Sequence, residues 1–427
     1  MAENESIIWG LIRNARERKA KRIMLQNINA ENDINRRIVR YQPSQIEGFF
    51  SPHEPIGNTI ISGGTQIIRN RTICSAINSA VYNNSPIIIL HIGNKDLEYD
   101  VSNQVPNAVV FNNRYSNYDP FIGLSDQEII RLILSSATEK HEIGSDGQYY
   151  LEGITEFIRS KNIAPYAEMY IRCPHLELFD KIEEAEAKGY IYSATAQRIK
   201  NLLAQGQKNR SSIENYFNIL RHQSQGLLSP KNNLICAKSL RTIIDQNGVA
   251  ILDIGSITND LLINLVMEDA SGALTNGKNL TVVFDNIPIS ASKNLERFIL
   301  NIGTTTHFVF SSSDVYSSLK ADDYFFASLV GKAHKLVIYQ HSSGISCAKW
   351  ADTIGYYEKK EVNRQISSGT HRESMFSIIP GQIDNDTITI SSKREHRVRP
   401  EEINSLTSDE VYIMDSINNE VAFTKII

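Results

Sequence analysis

The chain has 427 residues, 41% hydrophobic and 22% charged, which is more than one ordinary core, suits two or three domains and excludes wholesale disorder. A formal net charge of -4 excludes a global positive field for nucleic acid, though a local basic face stays open. The four cysteines, Cys74, Cys173, Cys236 and Cys347, are scattered; they form no CxxC pair or zinc knuckle and suit buried thiols in a reducing compartment.

Residues 1–44 predict a charged helical lead-in with no signal peptide. Arg13, Arg16, Arg18, Lys19, Lys21 and Arg22 crowd one stretch. They read as a solvated helix face, or as a contact to lipid headgroups, nucleic acid or a partner. Apolar runs such as Pro86 to Leu90 are strand-sized, far short of the roughly 20 residues of a membrane span. The expectation is a cytoplasmic chain, peripheral at most at the inner face of a membrane.

From residue 45 the pattern becomes α/β. Residues 58–62 predict a strand, Gly63-Gly64 a turn and 68–82 a helix. Strands follow at 85–91 and 108–111, and apolar runs of this kind suit a parallel sheet covered on both faces. Between 126 and 230 helical periodicity dominates, at 128–134, 149–159, 178–188 and 194–203, and predicts an all-helical insertion. Strand signals return at 249–253, 280–285, 307–310 and 335–339, and the tail from about 376 alternates, as in Thr387-Ile-Thr-Ile390.

Two segments carry candidate chemistry. A phosphate loop reads G-x-x-x-x-G-K-[ST], its backbone N–H groups wrapping phosphate. On that frame Gly63 takes the first glycine, but Ile68 stands at the second, Arg69 at the lysine and Asn70 at the hydroxyl. Gly63, Gly64, Thr65, Arg69 and Asn70 are therefore the candidate phosphate contacts. Alone the match is weak, because strand–glycine–helix turns are common. The second segment, Leu280-Thr-Val-Val-Phe-Asp285, has the form of a Walker B strand, with Asp285 the candidate magnesium ligand should nucleotide bind. Asn286 follows where a catalytic glutamate usually stands, and an amide cannot act as a base. A strand-end aspartate is otherwise commonly a turn residue, the reading given to Asp253. No H-E-x-x-H, H-x-H or G-x-S-x-G pattern occurs.

Order adds what single motifs lack. After the turn come Tyr118-Asp-Pro-Phe121, the helical stretch with Tyr149-Tyr150, the Asp285 strand, Phe308 to Leu319, and Val398-Arg-Pro-Glu-Glu-Ile-Asn-Ser-Leu406. This succession, over roughly 45 to 427, resembles the coupling proteins of conjugation and type IV secretion in the FtsK/HerA superfamily. The resemblance implies an α/β fold: a RecA-like parallel-sheet nucleotide-binding domain from 45–125 and 231–427, with an inserted all-α domain at 126–230. It places the γ-phosphate sensor glutamine at Asp314 and a frequent arginine near Thr304 and Thr305. Family members usually begin with transmembrane helices, which this sequence does not contain.

The departures gather at the chemistry. Ile68 crowds the loop, Arg69 changes the reach of the cation, Asn70 offers magnesium a poorer oxygen, and Asn286 supplies no base. The expectation is a soluble pseudo-ATPase rather than an enzyme, with ATP and magnesium weakly bound and neither required. It would act as a platform recruiting a secretion or conjugation substrate protein and its adaptor through 126–230. The alternative is an active hexameric, ATP-driven DNA translocase with non-consensus motifs that contacts single-stranded DNA. A third reading is a subunit mixed with an active paralogue, so both homo- and hetero-oligomers are implied.

Overall fold

The run Ile87-Ile-Ile-Leu90 is apolar at every position, which suits a strand covered on both faces. The structure, a computed structural model, describes residues 2–41, 57–112, 116–228, 237–256, 258–273, 279–287, 293–300, 306–371 and 381–426. Its strands are β1 (Ile38–Arg40), β2 (Thr59–Ser62), β3 (Ile87–His91), β4 (Val109–Phe111), β5 (Asn117–Tyr118), β6 (Ala237–Lys238) and β7 (Val249–Asp253). They continue as β8 (Leu280–Asp285), β9 (Thr306–Ser312), β10 (Lys335–Ile338), β11 (Tyr356–His371), β12 (Gly381–His396), β13 (Glu410–Asp415) and β14 (Glu420–Lys425). The helices are α1 (Ala2–Arg36), α2 (Gln66–Tyr82), α3 (Lys95–Gln104), α4 (Asp126–Ser136), α5 (Gly147–Ser160), α6 (Ala167–Ile171), α7 (Leu178–Ala187) and α8 (Ser193–Gln205). After them come α9 (Arg210–Ser224), α10 (Leu240–Asp245), α11 (Asp260–Ala273), α12 (Lys293–Leu300), α13 (Val315–Ser318), α14 (Asp323–Val330), α15 (Gly344–Ile354) and α16 (Pro400–Asn404).

Among the described residues ten strands form one sheet, ordered β1-β14-β13-β10-β2-β9-β8-β3-β7-β4. From β10 to β4 every pairing is parallel. Strand β13 runs antiparallel to β10 and to β14, and β1 lies parallel to β14. Alternate side chains part to opposite faces, as pleating requires. Ile88, Leu90, Phe284, Phe308 and Phe310 enter one apolar core; Ile87, Ile89, Val283 and Val309 enter the other. Helices α2 and α3 cover the second face through Ile73, Ile77, Leu97 and Val101.

The first face is covered by α11, α12 and helices α4–α9, and no strand lies between 126 and 228 among the described residues. These helices share one continuous apolar cluster with the sheet, so burial against it supplies much of their stability. Ser125 and Glu128 close a capping box that starts α4. The segment 117–121 ties the layers together: Asp119 Oδ2 accepts the Ala167 N–H at the start of α6 (3.0 Å), and Tyr118 donates to Asp269 of α11 (2.8 Å).

At the edges, strands β1 and β11 are not legible in the periodicity. The lead-in helix α1 ends where Arg37 takes a positive φ of 52°, and the next three residues join the sheet as β1. The tail forms a hairpin, β11 with β12, outside the main sheet. Helix α1 lies on that hairpin, and Asn32 exchanges hydrogen bonds with the Lys360 backbone at 2.9 and 2.7 Å. Among the described residues no helix is long and apolar enough to cross a membrane.

Candidate nucleotide-binding site

In open parallel sheets ligands bind beyond the carboxyl ends of the strands. Here β2, β9, β8 and β3 end at one level, with Ser62 opposite Ser312, Asp285 opposite Ser311, and His91 opposite Asp285. The sequence-derived candidates Gly63, Arg69, Asn70, Asp285 and Asn286 converge at this edge.

Only Gly63, Gly64 and Thr65 separate β2 from α2, whereas a phosphate loop holds about six residues before its lysine. Both glycines are left-handed, at φ 86° and 70°. The Gly63 N–H donates to Ser312 O (3.1 Å) and the Gly64 N–H to Gln340 O (3.0 Å). A Cβ on Gly64 would stand 2.9 Å from Tyr339 Cβ. Thr65 is the N-cap of α2 and makes no side-chain cap bond.

Because the helix starts early, Ile68, Arg69 and Asn70 sit inside α2 and are buried. The Arg69 guanidinium turns back under the turn and donates to Gly64 O (2.8 Å), Gly63 O (3.4 Å) and Asn286 Oδ1 (3.4 Å). Carbonyls thus face the guanidinium where a phosphate nest would present N–H groups. Burial lowers the Arg69 pKa, against the pull of Asp285 and Tyr339. Its Nε finds no acceptor among the described residues.

Asp285 is fully buried. Its Oδ2 accepts from Asn94 Nδ2 (2.6 Å) and Asn286 Nδ2 (3.3 Å), and its Oδ1 from the Ser311 hydroxyl (2.9 Å). Asn94 and Asn70 exchange amide bonds at 2.8 and 3.2 Å. Asn286 is itself left-handed, φ 57°, a conformation asparagine tolerates better than glutamate. Asn94 and Ser311 were not singled out from sequence. The signal for Asn94 was its place just after an apolar strand, where it caps α3 by accepting the Leu97 N–H.

Asp314 lies apart from this network. It caps α13 by accepting from the Ser317 N–H (3.1 Å), and it ties α13 to α15 through the Ser346 hydroxyl (2.7 Å). Between them, Ser62 Oγ accepts the Val315 N–H (3.1 Å) and lies 2.8 Å from His341 Nε2. His341 Nδ1 lies 2.8 Å from Tyr339 O, which places a proton there, and burial keeps the ring neutral. The positions Thr304 and Thr305, like Cys236, lie outside the described residues.

A neighbouring cluster brings donor atoms of His91, Glu98 and Asp253 within 4.8 Å of one another. Lys95 already bridges the two carboxylates at 2.7 and 2.8 Å. Against the burial that would raise it, the Gly93 N–H and Lys95 hold Asp253 below its ordinary pKa. His91 Nδ1 accepts the Asn94 N–H (3.1 Å), so in the neutral ring Nε2 carries the proton and has no lone pair for a metal. The cluster is a charge network that fixes the β3–α3 turn.

The architecture matches several solved proteins. The trigonal form of the bacterial conjugative coupling protein TrwBdeltaN70 with sulphate superposes with a TM-score of 0.54 at 13% identity, covering 92% of this chain and 93% of that one. The plasmid coupling protein TrwB with the GTP analogue GDPNP gives 0.54 at 12% identity over 91% and 92%. TrwB with ADP and Mg2+ gives 0.51 at 13% over 87% and 84%. This chain has the conjugative coupling-protein fold. No family model and no curated protein matches its sequence. At this identity the likeness is one of fold, and the chemistry rests on the chain's own side chains.

Those side chains do not fit magnesium nucleotide in this arrangement. The turn is short, its glycine N–H groups serve the carbonyls of Ser312 and Gln340, the cation at position 69 is held by carbonyls, and each Asp285 oxygen has a donor.

Proposed function

We propose that this chain is a coupling-protein-like component of a type IV secretion or conjugation system that works as a recruiting platform rather than as a motor. The carrying observation is the closed network Gly63/Gly64–Arg69–Asn286–Asp285–Asn94–Asn70. A motor keeps the P-loop cation and the Walker B carboxylate available to phosphate and metal. Here the protein's own groups engage both, so they serve as packing and polar structure. Helices α4–α9, roughly residues 126–230, form the recruiting unit in this reading. Their outer surface exposes Leu176, Tyr190 and Tyr192, and solvent-facing apolar side chains of this size suit protein contacts.

The test is ATP hydrolysis by the purified full chain with magnesium and single-stranded DNA. Turnover at background is expected. Losing one charge-stabilising group commonly costs about 10²–10³ in rate, and here the phosphate, metal and base positions have all changed. Robust steady-state hydrolysis that Asp285→Ala abolishes would overturn the platform reading in favour of a DNA translocase with non-consensus motifs.

A further inference from the structure

The carboxyl ends of α5 and α7 meet at a cleft of about 430 Å³, within the range of small-ligand sites. Lys161, Lys181 and Lys188 line it, with Glu184, Asn162 and Tyr190. Glu184 serves two of the lysines, Lys188 at 2.6 Å and Lys181 at 3.4 Å. Lys161 has no carboxylate within ion-pair distance among the described residues; its ammonium lies 4.0 Å from the Phe157 ring centroid. Burial, with repulsion from Lys181, lowers its pKa. Three cations therefore face one anion.

Helix dipoles account for part of this. Lys161 and Lys188 are the C-cap residues of α5 and α7, where a cation offsets the helix end. Lys181 has no such role, because it sits one turn from the amino end of α7, where the dipole disfavours a cation. It lines the same cleft as Lys161 and repels that ammonium. The lining adds apolar surface: Tyr190 is 68% exposed.

We propose that this cleft docks a short acidic peptide segment of the recruited protein, with carboxylates seated between Lys161 and Lys181 and an apolar side chain on Tyr190. The proposal rests on the platform reading and names its ligand chemistry. A nucleic-acid backbone fits less well. Between 126 and 228 the chain carries 14 acidic against 12 basic side chains, and Asp180, Glu183 and Glu186 of α7 stand beside the cleft. A long polyanion meets that negative surface beyond the lysines, whereas a short segment ends before it.

The experiment is fluorescence anisotropy on the full chain. The probe is a fluorescein-labelled peptide of alternating leucine and glutamate; controls are its glutamine counterpart and a short oligothymidylate. The acidic peptide should bind, its affinity should fall as salt rises, and the glutamine peptide should bind at least tenfold more weakly. Lys161→Glu with Lys181→Glu should weaken binding by about tenfold or more, a loss of about 1.4 kcal/mol. Lys161→Gln should give a smaller loss with unchanged thermal unfolding, which separates lost charge from lost fold. No binding of the acidic peptide, equal binding by the charge-reversed chain, or tighter binding of oligothymidylate at the same lysines overturns the proposal. ATP hydrolysis is read on the same preparation, so failure of the cleft and failure of the platform reading are told apart.

Discussion

Arg69→Ala separates the two meanings of the cation beneath the glycine turn. If Arg69 is a structural group, its loss strips the hydrogen bonds from Gly63 O and Gly64 O and removes a cation that attracts the buried Asp285 carboxylate. Hydrogen bonds from a charged donor are worth about 1.5–3 kcal/mol each. Asp285 keeps its bonds from Asn94, Asn286 and Ser311, so the lower end for the two lost carbonyl bonds, about 3 kcal/mol in all, is expected. With a urea m-value of about 3 kcal/mol/M, the unfolding midpoint should drop by about 1 M at constant m. Trp350 reports on this region, since it is fully buried with its ring centroid 6.3 Å from that of His341; Trp9→Phe removes the second tryptophan. The cycle with Asp285→Asn adds a sharper demand. Neutralising the carboxylate removes the stranded charge, so the double variant should lose less than the sum of the single losses. A phosphate-binding arginine behaves otherwise, because functional cations are commonly replaced without loss of stability. An Arg69→Ala midpoint within about 0.2 M of wild type, or strict additivity in the cycle, would refute the structural reading.

Asn286→Glu alone should leave ATP turnover at background, because the turn is short and position 286 is left-handed; a phosphate-release assay showing gain of activity would contradict this. Gly64→Ala should destabilise by about 1–3 kcal/mol, from positive φ and overpacking, since its Cβ would press on Tyr339; an unchanged denaturation midpoint would count against the packing described. Burial pushes Asp119 and Asp269 up to about 7. The folded carboxyls hold protons more tightly than unfolded ones, near a pKa of about 3.9, so their stabilisation is complete below that value and is lost as pH rises through 7. Asp269→Asn should therefore narrow the difference in urea midpoint between pH 5 and pH 8, and an identical pH profile in both proteins would show that Asp269 does not carry it.

What the sequence revealed and what it hid divide along physical lines. Unbroken apolar runs such as 87–90 and 280–284 admit few alternatives to a strand covered on both faces, and α5 and α8 announce themselves by period. Strand β1 gave no such signal, because three residues at a sheet edge are too short for any pattern and only their pairing with β14 makes them a strand. The site was legible as positions but not as geometry. A one-dimensional frame places Arg69 where a lysine belongs, and it assumes the loop length that would make the position meaningful. The structure removes that assumption by starting α2 at Gln66, so the same residue faces carbonyls from inside a helix. Asn70 and Asn286 could be read only as losses, each lacking a group that a motor needs. In three dimensions, with Asn94, which no motif marks, they supply the amides that saturate a buried carboxylate. The substitutions therefore form a set. On the proposed platform reading, reverting one of them leaves the others in place, and gain of nucleotide chemistry requires a longer turn before any side chain is changed.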